Sequence, residues 1–131
     1  MYNKIPDYIK TVVLDANGEV TKSRWTGTFR VKCILSHADR FALERIYTQL
    51  LPSDTGVDEE VKIKAATIAE LSVRVVDGPE WWNSTRQGQL MVDTTPIYEL
   101  IGLVVKASEE WSHELGKMNA NESNAVIPKP T

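Results

Sequence analysis

Residues 25–35, WTGTFRVKCIL, decide the fold class. Trp25, Gly27, Phe29, Val31, Cys33 and Leu35 fall on one face, while Thr26, Thr28, Arg30 and Lys32 fall on the other; only Ile34 breaks the pattern. Alternation with period two is the signature of a β-strand with one buried and one wet face. Gly27, between two large aromatics, marks a bulge or a close approach of another backbone. Upstream, Ile9–Leu14 reads as a second strand, rich in β-branched residues at Ile9, Thr11, Val12 and Val13. Asn17-Gly18 lies between the two and signals a hairpin turn, because both residues tolerate positive φ. A two-stranded hairpin is marginal by itself. It must pack on helices, on a further strand or on another subunit.

The following residues supply the helices. Ser36 opens the first: its hydroxyl can accept from the Asp39 amide, and Asp39 sits at the positive end of the helix dipole. Ala38, Ala42, Leu43, Ile46, Tyr47 and Leu50 then form one stripe, and Pro52 ends the segment. Asp58 is placed to cap a second helix, with a stripe at Val61, Ala65, Ile68, Ala69, Ser72, Val75 and Val76. Leu71 projects at the edge of its wet side. Gly78 reads as the residue just past the helix end, with Pro79 blocking continuation. The segment 80–93 shows no clear period. Trp81 and Trp82 diverge on an extended backbone, so one can be core while the other faces outward, and Gln89–Val92 reads as a short strand beside the hairpin. Thr95 at the cap and Pro96 at the first position open a last helix that ends at Gly116. The expected architecture is therefore α+β: an N-terminal antiparallel β-hairpin packed on about three α-helices, with an extended C-terminal tail. One domain is expected over 1–131, with an arm at 1–8, a folded core at 9–116 and the tail at 117–131.

The chain has 131 residues, 42% of them hydrophobic and 25% charged, with a net charge of -3. That length suffices for one self-contained core. The slight negative charge argues against nonspecific binding to nucleic acid, which needs clustered Lys and Arg to displace counterions, and against an anionic membrane surface. The first ten residues lack the apolar stretch of a signal peptide. Ile97–Val105 is too short and too polar to span a bilayer. With one cysteine, Cys33, no internal disulfide can form. Cys33 lies on the apolar face and reads as a buried small hydrophobe, with a reactive thiol as the alternative.

Little in the chain carries chemistry. A metal site needs three or four convergent ligands; His37, His113 and Cys33 share no spacing motif. A nucleophile needs a base and an orienting group, and no GxSxG elbow or phosphate-binding glycine loop is present. No catalytic residue, metal ligand or cofactor is expected. The aromatics remain. Tryptophans serve cores and the anchors of protein interfaces, so Trp81, Trp82, Trp25, Phe29 and the neighbouring Leu71 are the interface candidates.

The ordered set WTGTF, ILSHADRFALERIYTQLL, LSVRVVDGPEWW and D-x-x-P (Asp93 to Pro96) resembles small accessory proteins of tailed bacteriophages, over about Trp25–Leu115. The most specific part is the proline followed by paired tryptophans, Pro79–Trp82. The resemblance implies a non-enzymatic protein that binds other phage structural proteins, major capsid or tail subunits; a second copy of the chain is a further candidate partner. It implies a place in the host cytoplasm during assembly and in the virion thereafter. Three functions stay open at this point: a capsid decoration or minor head protein, a tail assembly chaperone absent from the mature particle, and a small enzyme or ligand-binding domain.

Overall fold

A computed structural model describes residues 8–126, with side chains through residue 120. The elements run β1 (Ile9–Asn17), β2 (Arg24–Lys32), α1 (His37–Leu50), α2 (Glu59–Arg74), β3 (Val75–Asp77), α3 (Glu80–Ser84) and α4 (Thr95–Val126). The expected architecture holds: an antiparallel hairpin packed with helices in a mixed α+β fold. The hairpin register runs unbroken from Ile9 opposite Lys32 to Asn17 opposite Arg24. The alternation read in the sequence is the observed one. Phe29, Val31, Cys33 and Leu35 are buried, with Trp25 and Gly27 half-buried on the same face, and Thr26, Thr28 and Arg30 face out.

Four boundaries differ from the sequence reading. The third strand is β3, not Gln89–Val92. It pairs antiparallel with β2, giving a sheet of order β1-β2-β3 with a register shift between Arg30 and Val31. Helix α2 therefore stops at Arg74 rather than running to Gly78. The Arg74 guanidinium donates to the Lys32 carbonyl at 2.8 Å, which ties the helix end to the edge of β2. Residues 89–92 instead follow a tight turn in which Arg86, Gln87 and Gly88 all have positive φ. The hairpin is closed by the longer segment 18–23, with Lys22 at φ 63, rather than by a two-residue Asn-Gly turn. Finally, α4 passes through Gly116 and continues to Val126. Residues 117–126 of the expected extended tail are thus helical, and 127–131 lie outside the described residues, as do residues 1–7 of the expected arm.

Local capping follows the sequence at α1 and departs from it at α2. Ser36 and Asp39 form a full capping box, and Lys32 Nζ bonds Asp39 Oδ1 at 2.9 Å, joining β2 to the helix start. The Lys32 ammonium, with the Ser36 amide, holds the Asp39 carboxyl below its ordinary range. Asp58 occupies the cap position of α2, but its side chain makes no capping bond.

The core lies between the sheet and α4. Val12, Leu14, Phe29 and Val31 from the sheet meet Ile97, Leu100, Val104 and Trp111 from α4, with Ile68 and Leu71 from α2 and Trp82 from α3 closing it. Helix α1 packs on α2 and buries no residue completely. No helix among the described residues is long and apolar enough to cross a membrane.

Candidate protein interface

Of the five interface candidates, three belong to the chain's own core. Phe29 and Leu71 have no exposed surface, and Trp82 is 2% exposed. A single apolar stripe on α2 puts Leu71 at the wet edge, and the structure puts it inside. It is buried because α2 is covered on two sides, by α1 and by β3 with α4. Trp81 and Trp82 do separate as expected, but on the one-turn helix α3 rather than on an extended backbone. Trp81 and Trp25 remain half-buried at the surface.

These rings form one cluster. Trp25 and Trp81 meet edge to face at 4.9 Å, Phe29 lies 5.7 Å from Trp81 and 5.8 Å from Trp82, and the two adjacent tryptophans are 6.3 Å apart. Such edge-to-face pairs add about 0.5–1.5 kcal/mol each beyond area burial. Gly27 lets the corner close: a Cβ there would lie 2.6 Å from Pro79 Cγ. The close approach expected at Gly27 is thus made by the proline that opens α3.

Two carboxylates, Glu19 and Asp93, neither of them among the expected site residues, lock this corner to the start of α4. Asp93 is 1% exposed and is the buried charged residue among the core. It accepts from the Val20 amide at 2.8 Å, the Thr21 amide at 2.9 Å, the Thr21 hydroxyl, and the Trp25 indole N–H at 2.9 Å. Burial pushes its carboxyl up, but the Thr21 hydroxyl and amide, the Trp25 indole and the Val20 amide outweigh that and hold it well below the ordinary carboxylate range. Gly18 must lack a side chain, because a Cβ would overlap the Asp93 carboxylate. Glu19 reciprocates from the hairpin loop. Its carboxylate accepts from the Thr94 amide at 2.7 Å and the Thr95 amide at 2.9 Å, at the start of α4. A negative group there satisfies orphan amides and complements the helix dipole. Those amides, Thr95 first and then Thr94, push the Glu19 carboxyl down to about 2. The one legible trace of this clasp was Asp93-Thr94-Thr95-Pro96, a helix-start pattern whose acceptor lies more than seventy residues away.

Two valines face solvent beside this clasp, among the exposed polar residues Glu19, Thr21, Lys22, Ser23 and Arg24. Val20 is 61% exposed and Val92 is 63% exposed. Val20 is held by its own amide bond to Asp93, and Val92 directly precedes Asp93. Trp25 bonds the same Asp93 carboxylate, and Trp81 packs on Trp25 at 4.9 Å, so the two valines and the two indoles are gathered around Asp93. The grooves elsewhere are shallow and their charged lining is Glu, Asp, Lys and Arg: one between α1 and α2 holds Glu44, Glu59 and Lys62, and one between β1 and α4 holds Lys10, Lys106 and Glu110. His37 and His113 lie exposed on different helices. Among the described residues no group of three or more His, Cys, Asp or Glu could hold a metal ion. Cys33 is buried on the sheet's core face. No protein-family model, no curated protein and no solved structure matches the chain.

Proposed function

We propose that this chain is a non-catalytic structural protein of a tailed-phage particle, a capsid-associated decoration or minor head subunit that docks on other structural subunits. The observation that carries the binding role is the apolar corner of Trp25, Trp81, Val20 and Val92. Its indole donors are already bonded to Asp93 and to the Thr26 carbonyl, so the two rings and the two valines offer a partner apolar area rather than N–H donors. A rigid aromatic surface of this kind is how protein interfaces obtain anchors at low entropic cost. The phage setting is supported by the resemblance of WTGTF, LSVRVVDGPEWW and the D-x-x-P segment to the accessory proteins named above.

Mass spectrometry of purified particles tests the setting. A copy number in fixed ratio to the major capsid protein is expected. Presence in assembling lysates with complete absence from finished particles would instead make the chain a tail assembly chaperone. The docking surface is tested with Val20→Asp and Val92→Asp, which place charge on exposed positions. Loss of incorporation with an unchanged circular dichroism spectrum is expected. Normal incorporation of the double variant would remove the corner from the interface.

A further inference from the structure

The hairpin offers a second surface, of a different kind. Two bonds bracket the β1–β2 ladder: Cys33 N–H donates to the Tyr8 carbonyl at 2.7 Å, and Gly18 N–H donates to the Ser23 carbonyl at 2.7 Å. The unbroken register between them makes the even-numbered residues of β1 the ones that exchange bonds with β2. The amides and carbonyls of Thr11, Val13, Asp15 and Asn17 therefore point away from β2. Strand β1 is an edge of the sheet, and among the described residues no strand lies beyond it. Natural edges are usually shortened, bulged or interrupted by proline. This one is nine residues long, regular and free of proline. At its centre Val13 is 67% exposed on the solvent face.

We propose that β1 pairs antiparallel with β1 of a second copy of this chain about a two-fold axis at Val13, joining the two sheets into one of six strands. Self-pairing is favoured over a foreign strand because the strand is complementary to itself. The register centred on Val13 engages the outward groups of Thr11, Val13 and Asp15. It sets Val13 against Val13, Thr11 against Asp15, and Lys10 against Ala16. No like charges face each other across the pair, which is the condition for a stable cross-strand ladder. The groove beside β1 agrees with this: its floor is Leu103 and Ala107, and its rim along α4 is Lys106, Glu110 and Glu114. Within the chain Glu114 is already paired with Lys10 at 3.5 Å, and a two-fold axis runs the two α4 rims in opposite directions. An isologous contact of this kind closes as a dimer and does not propagate. The inference stands apart from the phage setting, since it concerns the chain alone.

The full chain is examined by sedimentation equilibrium across the micromolar range, alongside Val13→Lys and Phe41→Lys. Wild type is expected to dimerise. Val13→Lys opposes two ammonium groups at the axis and should weaken association by roughly a hundredfold or more, with an unchanged circular dichroism spectrum. Phe41→Lys, on α1, should dimerise like wild type. Hydrogen exchange gives an independent reading on unmodified protein: the amides of Thr11, Val13 and Asp15 should gain protection with concentration, while those of Val12 and Leu14 are protected throughout. A wild type that stays monomeric, a Val13→Lys variant that associates as tightly as wild type, loss of the dimer in Phe41→Lys alone, or odd-numbered amides indifferent to concentration would each overturn the proposal.

Discussion

Gly27→Ala is the substitution whose sign decides whether the aromatic corner is built as described. In an ordinary strand the change should help. Glycine in a strand interior is destabilising by roughly 0.5–1 kcal/mol relative to alanine, through its extra freedom in the unfolded chain. Here the new methyl would lie 2.6 Å from Pro79 Cγ and 2.9 Å from Pro79 Cβ. Carbon atoms rest at about 3.5–4.0 Å, so the α3 start must retreat by about 1 Å. Pro79 is a ring fixed in the backbone, and Trp81 and Trp82 follow it directly, so the displacement is carried into the packed cluster. Overpacking of this size costs about 1–3 kcal/mol, which outweighs the entropic gain. For a stability of about 5–15 kcal/mol and a urea slope of about 1–3 kcal/mol/M, the midpoint should fall by about 1 M. Urea unfolding followed by far-ultraviolet circular dichroism measures it without relying on tryptophan emission. The control is Pro79→Gly, which removes the ring. In that background Gly27→Ala should be neutral or stabilising, giving a coupling of about 1–3 kcal/mol between two residues 52 positions apart. A Gly27→Ala chain more stable than wild type, or one equally destabilised with and without the Pro79 ring, would refute the packing of α3 on β2.

Leu71→Ala should cost about 2–5 kcal/mol of unfolding free energy, the range for a fully enclosed leucine, measured by the same urea titration. Glu19→Gln should lower the melting temperature at neutral pH. Because the Glu19 carboxyl is depressed to about 2 from an ordinary 4.5, its contribution is present above pH 4.5 and is lost as pH falls from there towards 2. The difference between wild type and variant should therefore close over that interval in melting curves taken at stepped pH. Asp93→Asn replaces an acceptor of four hydrogen bonds by a group that presents donors to donors. It should lower the melting temperature by more than Asp15→Asn, which breaks only the exposed pair with Arg24.

What was legible in the sequence is what short-range physics fixes. The period-two run at Trp25–Leu35 gave the buried face of β2 position by position. Ser36 and Asp39 gave the start of α1, because a capping box closes within four residues. What was not legible depends on partners far along the chain. Val75 and Val76 continue the helical stripe of α2 and are also good strand formers, so local propensity could not choose between the two. The choice was made by the free edge of β2 and by Arg74 reaching the Lys32 carbonyl, 42 residues away. The Asp93 clasp is of the same kind. The D-x-x-P segment reads only as the approach to a helix start, yet the Asp93 carboxylate holds the loop at Val20 and Thr21. The result bears on function. The reciprocal bonds of Asp93 and Glu19 tie the hairpin tip to the start of α4 and hold Val20 and Trp25 in one geometry. The candidate surface therefore exists because of two residues that the sequence showed only as ordinary acids. Of the three candidates it lost, Phe29 and Trp82 form the floor on which Trp81 rests, and Trp81 in turn supports Trp25.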